Sequence, residues 1–105
     1  MNIKTTIYKS PRDGWTAKSV IPLAAPHSLR VDTYKSRRGL VTVASRVEDS
    51  TDGSFSFEVF GDFNARVVES AARCTEKTVT EQHNGVLSNV ADLIAKCDAF
   101  YAAKN

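Results

Sequence analysis

With 105 residues, 42% of them hydrophobic and 25% charged, the chain is long enough for one domain with its own core and too apolar for wholesale disorder. Its formal charge of +2 excludes neither an acidic nor a basic partner, and no stretch approaches the roughly 20 apolar residues that a membrane span needs. Met1 to Thr6 contain no apolar run of signal-peptide length, so a cytoplasmic setting is the expectation, with Cys74 and Cys97 as free thiols.

Residues 3–9 alternate, Ile3, Thr5 and Ile7 against Lys4, Thr6 and Tyr8, which is the period of a half-buried strand. Ser10-Pro11-Arg12-Asp13-Gly14 then supplies the chemistry of a reversing turn. A second strand over 15–21 alternates through Trp15, Ala17, Ser19 and Ile21, and Pro22 ends it by withholding a ladder donor. After a proline-bearing loop, a third strand over 29–35 sets Leu29, Val31 and Thr33 inward and Arg30, Asp32 and Tyr34 outward. Ser36-Arg37-Arg38-Gly39 turns the chain into a fourth strand over 40–47, apolar on both faces and therefore expected near the sheet's middle. A polar loop leads to a fifth strand over 54–60, in which Phe55, Phe57 and Val59 share one face.

Residues 61–74 carry two patterns. Asp62 could cap a short helix through Ala65, Val67 and Val68, while the alternation of Phe63, Ala65 and Val67 would prolong a strand. From Thr75 the period changes to that of a helix, with Val79, His83, Val86, Val90, Ile94, Cys97 and Tyr101 on one stripe widened by Leu87, Leu93 and Phe100. Thr75, or Thr78 followed three residues on by Glu81, provides the cap. A continuous helix over 76–103 would extend about 43 Å, against about 25 Å for the strands. It therefore either bends near Gly85 or projects and buries Phe100 and Tyr101 against a second copy, making a homodimer. The order of five strands and one helix predicts an α+β domain, residues 1–105, in which an antiparallel meander is covered on one face by the C-terminal helix.

No motif for a metal, nucleotide or cofactor is present. His27 and His83 are the only histidines and neither lies at zinc spacing to a cysteine or histidine, while Gly39, Gly53, Gly61 and Gly85 are isolated. His83, on the helical stripe, reads as a hydrogen-bonded residue at the edge of the core. Asp62 and Glu69 are not placed as a paired acid and base. Cys74, near a helix start, is the single candidate for a reactive thiol, and it lacks a convincing base. A non-enzymatic protein is the expectation.

Charge is unevenly divided. Residues 1–47 hold nine basic groups against two acids, a net of +7, and residues 48–105 hold five against ten, a net of −5. If the helix covers the face that carries Trp15 and Leu29, then Lys4, Tyr8, Lys18, Arg30 and Tyr34 share the open face, and Lys35, Arg37 and Arg38 project from its rim. Tyrosine and arginine are common interface anchors, and such a face suits a protein partner with an acidic surface. That reading makes the protein a small adaptor or inhibitor, a type of product common in phage and plasmid genomes. The alternative is a single-stranded nucleic-acid-binding module on the same face, with cations on phosphates and bases stacked on Tyr8 and Tyr34.

Overall fold

The computed structural model of the chain describes residues 2–104. Four long strands, β1 (Lys4–Ser10), β2 (Gly14–Pro22), β3 (His27–Ser36) and β4 (Gly39–Asp49), form an antiparallel meander. The far edge of β4 is shared by two strands, β5 (Ser56–Glu58) beside its end and β6 (Asn64–Ser70) beside its beginning. Two helices, α1 (Glu76–Leu87) and α2 (Val90–Lys104), cover one face. The expected α+β sheet-and-helix architecture is therefore present, with β6 as a sixth strand where two patterns competed. Among the described residues no helix is long and apolar enough to cross a membrane.

Register assigns the faces. Ala17 pairs with Thr33 and Thr33 with Thr42, so the odd residues of β2 and β3 and the even residues of β4 turn toward the helices. Ile21, Leu29, Val31 and Ala44 meet Val86, Leu93 and Cys97 in the larger apolar cluster, and Ala17 and Leu40 meet Val79 in a smaller one. Between the two clusters runs a belt of buried polar side chains, Ser19, Thr33, Thr42 and His83, each with no exposed surface.

Helix α1 starts at Thr75, the first of the two expected caps. Thr78 N–H donates to Thr75 Oγ1 at 3.1 Å and Thr75 N–H donates to Thr78 Oγ1 at 3.0 Å, a reciprocal capping box. The expected long helix is broken at Ser88-Asn89 rather than bent at Gly85. Ser88 Oγ and Asn89 Nδ2 both donate to the Gly85 carbonyl, at 2.7 and 3.4 Å, while Asn89 N–H turns to Val86 O at 3.0 Å. Side chains thus take the acceptor that the next turn of backbone would use, and Asn89 O receives the N–H groups of Asp92 and Leu93 to start α2. The break folds the second half of the helix back onto the sheet. Phe100 and Tyr101 pack within the chain, edge to face with each other, with Phe100 also edge to face against Phe63.

The fifth strand is the largest departure. A core strand over 54–60 is expected, yet only Ser56–Glu58 pairs with β4, and Phe55, Phe57, Val59 and Phe60 face outward. Phe63 takes the core position instead. Its N–H donates to Tyr101 Oη at 2.9 Å and its carbonyl accepts Arg46 N–H at 2.9 Å, anchoring the chain where β6 begins.

Candidate functional site

The open side of the sheet is built by the residues between those that face the helices. Tyr8 lies opposite Thr16, Lys18 lies between Thr6 and Asp32, and Tyr34 lies opposite Val41 on β4. Val41, Ser45 and Val47 on the same side are buried although no helix covers them. They are flanked in register by Tyr34 and Glu69, by Arg30 and Asn64, and by Ser28 and Glu58, so longer neighbours shield them.

Seven of the eight residues expected at a binding surface come together here. Tyr8, Lys18, Arg30, Tyr34 and Lys35 line one shallow depression, which also contains the carboxylates of Asp13 and Asp32. Tyr34, Arg37 and Arg38 line a second with Arg66 and Glu69, so Tyr34 joins the two. Lys4 lies further along β1, opposite Val20, on the same face but in neither depression. Tyr8 and Tyr34 are 44% and 37% exposed, enough ring for a partner to cover.

The cations are not equivalent. Arg30 Nε reaches Asp32 Oδ2 at 2.9 Å and its Nη2 reaches Glu58 Oε1 at 3.0 Å, so two carboxylates of the same chain engage it. Arg66 Nη1 lies 2.6 Å from Glu69 Oε1. Lys4, Lys18, Lys35, Arg37 and Arg38 have no carboxylate within ion-pair distance among the described residues. Arg46 is a cation of the helix-facing side that periodicity does not reveal. Its guanidinium lies 3.8 Å from the centre of the Tyr101 ring and 3.3 Å from Asp62 Oδ2, which holds α2 against the start of β6.

His83 is a structural centre. Nε2 lies 2.7 Å from Ser19 Oγ and Nδ1 lies 2.8 Å from Thr33 Oγ1, with Thr5 beyond Ser19 at 2.7 Å and Thr42 beyond Thr33 at 2.7 Å. Gln82 Nε2 donates to Thr42 Oγ1 at 3.0 Å, and Gln82 Oε1 accepts from Ser70 Oγ at 2.6 Å. An amide nitrogen can only donate, and with Gln82 at its head one order lets each internal hydroxyl both give and receive. In that order Thr42 donates to Thr33, Thr33 to Nδ1, Nε2–H to Ser19, and Ser19 to Thr5. Burial pushes the imidazole pKa down, opposed by the Asp32 charge, and favours the neutral ring that this order requires.

Cys74 is half-buried beside the rim, in a depression shared with Arg37, Arg38 and Arg73, and its thiol donates to Trp15 O at 3.3 Å. Cys97 is a buried free thiol whose pKa burial pushes up. Among the described residues no three histidine, cysteine or carboxylate side chains converge as a metal site would require.

Fold and surface together define an α+β domain with one roofed and one open sheet face, the open one carrying tyrosines and unpaired cations. Compared with protein-family models, curated proteins and solved structures, the chain has no significant match.

Proposed function

We propose that the protein is a non-enzymatic interaction module of the adaptor or inhibitor type, docking an acidic surface of a partner protein on its open sheet face and β3–β4 rim. The observation that carries this reading is the continuity of two depressions through Tyr34, which brings Tyr8, Lys18, Lys35, Arg37 and Arg38 into one contact surface. Aromatic rings with flanking arginines are the residue types that dominate binding energy at protein interfaces. Asp13, Asp32 and Glu69 interleave with the cations, which suits the mixed charge of a protein surface better than an unbroken row of phosphates. A cytoplasmic setting fits the two free thiols.

Affinity capture with the purified chain, compared with Arg37→Glu/Arg38→Glu, tests the proposal. Reversing both rim charges is expected to weaken a specific complex by about tenfold or more; a complex indifferent to the change refutes the assignment of the face. A labelled single-stranded oligonucleotide is expected not to bind at about 50 mM salt. Binding that falls steeply with added salt and is lost on Tyr34→Ala would replace a protein partner by a nucleic acid.

A further inference from the structure

At the end of the sheet opposite the basic rim stands a projection of contrasting chemistry. Residues 48–62 hold five acids, Glu48, Asp49, Asp52, Glu58 and Asp62, and no lysine or arginine. From the same segment Phe55, Phe57, Val59 and Phe60 are 61%, 42%, 38% and 106% exposed, so bulky apolar groups crowd one short stretch of surface. An apolar patch rimmed by charge marks a contact surface.

Hydrogen bonds hold this projection in shape. Ser50 Oγ, Ser54 Oγ and Ser54 N–H all donate to Asp52 Oδ1, at 2.8, 2.7 and 3.0 Å. Ser50 and Phe55 are tied twice, Ser50 N–H to Phe55 O at 2.9 Å and Phe55 N–H to Ser50 Oγ at 3.2 Å. The donors from Ser54 and Ser50 hold the Asp52 carboxyl down at about 2, so the tip keeps its negative charge at neutral pH. A surface already ordered loses little freedom on docking.

Acids without an ion pair gather at the projection and cations without one at the rim, although Asp13 lies in the basic depression and Lys104 Nζ donates to Gly61 O beside the projection. Glu58 and Asp62 are engaged by Arg30 and Arg46, but Glu48, Asp49 and Asp52 have no cation among the described residues, just as Lys18, Lys35, Arg37 and Arg38 have no carboxylate. Strand β4 runs from the rim at Gly39 to the projection at Asp49, roughly 35 Å for its length, in a molecule whose longest dimension is 40 Å. The phenylalanines cannot reach the rim of their own chain.

We infer that the acidic, aromatic projection of one copy docks in the basic, tyrosine-lined depressions of a second copy, head to tail. This rests on the reading of the open face as a binding surface and names an occupant for it. Carboxylates of the projection meet Lys18, Lys35, Arg37 and Arg38, and its phenylalanines lie against Tyr8 and Tyr34, ring to ring. An anionic lipid surface is a poor occupant for the projection, because its acids are repelled there. The contact is heterologous. A docked pair keeps one projection and one face free, so copies add in a row or close into a ring.

Sedimentation velocity of the full chain tests the inference, from about 10 µM to about 1 mM. Assembly is expected to grow with concentration and to dissolve in about 0.5 M salt. Phe55→Ser/Phe60→Ser and Arg37→Glu/Arg38→Glu should each be monomeric, with circular dichroism unchanged because all four side chains lie at the surface. Mixed, they should form a one-to-one complex and stop, since the first retains the face and the second the projection. A wild-type chain that stays monomeric, an assembly unaffected by either double substitution, or a mixture that remains monomeric overturns head-to-tail assembly. Capture of a different protein that Arg37→Glu/Arg38→Glu abolishes would, alongside a monomeric wild type, leave the binding face intact while removing the second copy as its occupant.

Discussion

Acidification tests the neutral imidazole at the centre of the polar belt. His83 is fully buried and commits Nε2 to Ser19 and Nδ1 to Thr33. A second proton would make both ring nitrogens donors. Thr33 would then accept from His83 and donate to Thr42, which already accepts from Gln82, and the Thr42 hydroxyl proton would be left without its partner in the belt. That orphaned donor adds to the cost of a charge in the core, so the folded-state pKa lies below the ordinary histidine value. The sign follows from proton counting. Below pH of about 6.5 the unfolded chain takes up a proton that the folded chain refuses, so stability falls as pH falls, by up to about 1.4 kcal/mol per pH unit until the folded histidine also protonates. The loss begins below pH of about 6.5 and ends where the folded histidine itself protonates. Urea unfolding at constant ionic strength measures it, with His83→Gln as the reference because a carboxamide donates and accepts but does not titrate in this range. The stability advantage of wild type over His83→Gln should shrink as the pH falls from about 7.5 to about 5; an advantage constant with pH refutes the account of the belt.

Two glycines should respond in opposite directions to alanine. A Cβ at Gly39 would stand 2.0 Å from the Ser70 carbonyl oxygen and 2.8 Å from Ala71 Cα, so Gly39→Ala must push the end of β6 off β4. It should lower stability by about 1 to 3 kcal/mol or more in chemical denaturation, and an unchanged midpoint would contradict the close approach. A Cβ at Gly85 would meet nothing within 4 Å, and the residue is helical, so Gly85→Ala should stabilise by about 0.5 to 1 kcal/mol. A loss of stability there would mean that the Ser88-Asn89 break needs the glycine. Tyr101→Phe keeps the ring beneath Arg46 but removes the acceptor of Phe63 N–H, and should cost about 1 to 3 kcal/mol, read as a lowered thermal midpoint. A neutral outcome would mean that water replaces the phenol.

Most of the sheet is legible because one face is roofed. Where burial is one-sided, the period of two is enforced, and Trp15, Ala17, Ser19 and Ile21 or Leu29, Val31 and Thr33 announce their face without ambiguity. The stripe Val79, His83, Val86 is legible for the same reason, and its period also runs on through Ser88-Asn89, which is why two helices resemble one. The signal of the break lies in polar side chains that compete for the Gly85 carbonyl, not in the apolar period. Residues 54–60 mislead in the other direction. Alternating phenylalanines imitate a core strand, but alternation records only that side chains share a face, never that anything covers it. Phe63, Ala65 and Val67 carry the same alternation nearby, and these lie against the helices. Of the candidate surface, Tyr8, Lys18, Arg30 and Tyr34 follow from parity, and the rim follows from the turn at Ser36-Arg37-Arg38-Gly39. The engagement of Arg30 by Asp32 and Glu58, and the depression that joins the others through Tyr34, required the register of three strands at once.

The polar belt explains why that register is unique. Alternation forbids a strand from slipping by one residue, because every side chain would change face, but it tolerates a slip by two. In β3 a slip of two would replace Thr33 by Val31 or Lys35 beneath His83, leaving a buried ring nitrogen without a hydroxyl; in β4 it would put Leu40 or Ala44 where Thr42 meets Gln82 and Thr33. Each such slip orphans buried polar atoms, at a cost of about 1 to 3 kcal/mol apiece, whereas a wholly apolar interface would accept it. Ser19, Thr33, Thr42 and His83 therefore select one of the pairings that hydrophobic contact alone would leave nearly equal. The same selection fixes the distance from Gly39 to Asp49 and the side on which Lys18, Tyr34 and Arg37 emerge, so the spacing of the rim from the acidic projection is set by hydrogen bonds on the opposite face of the sheet.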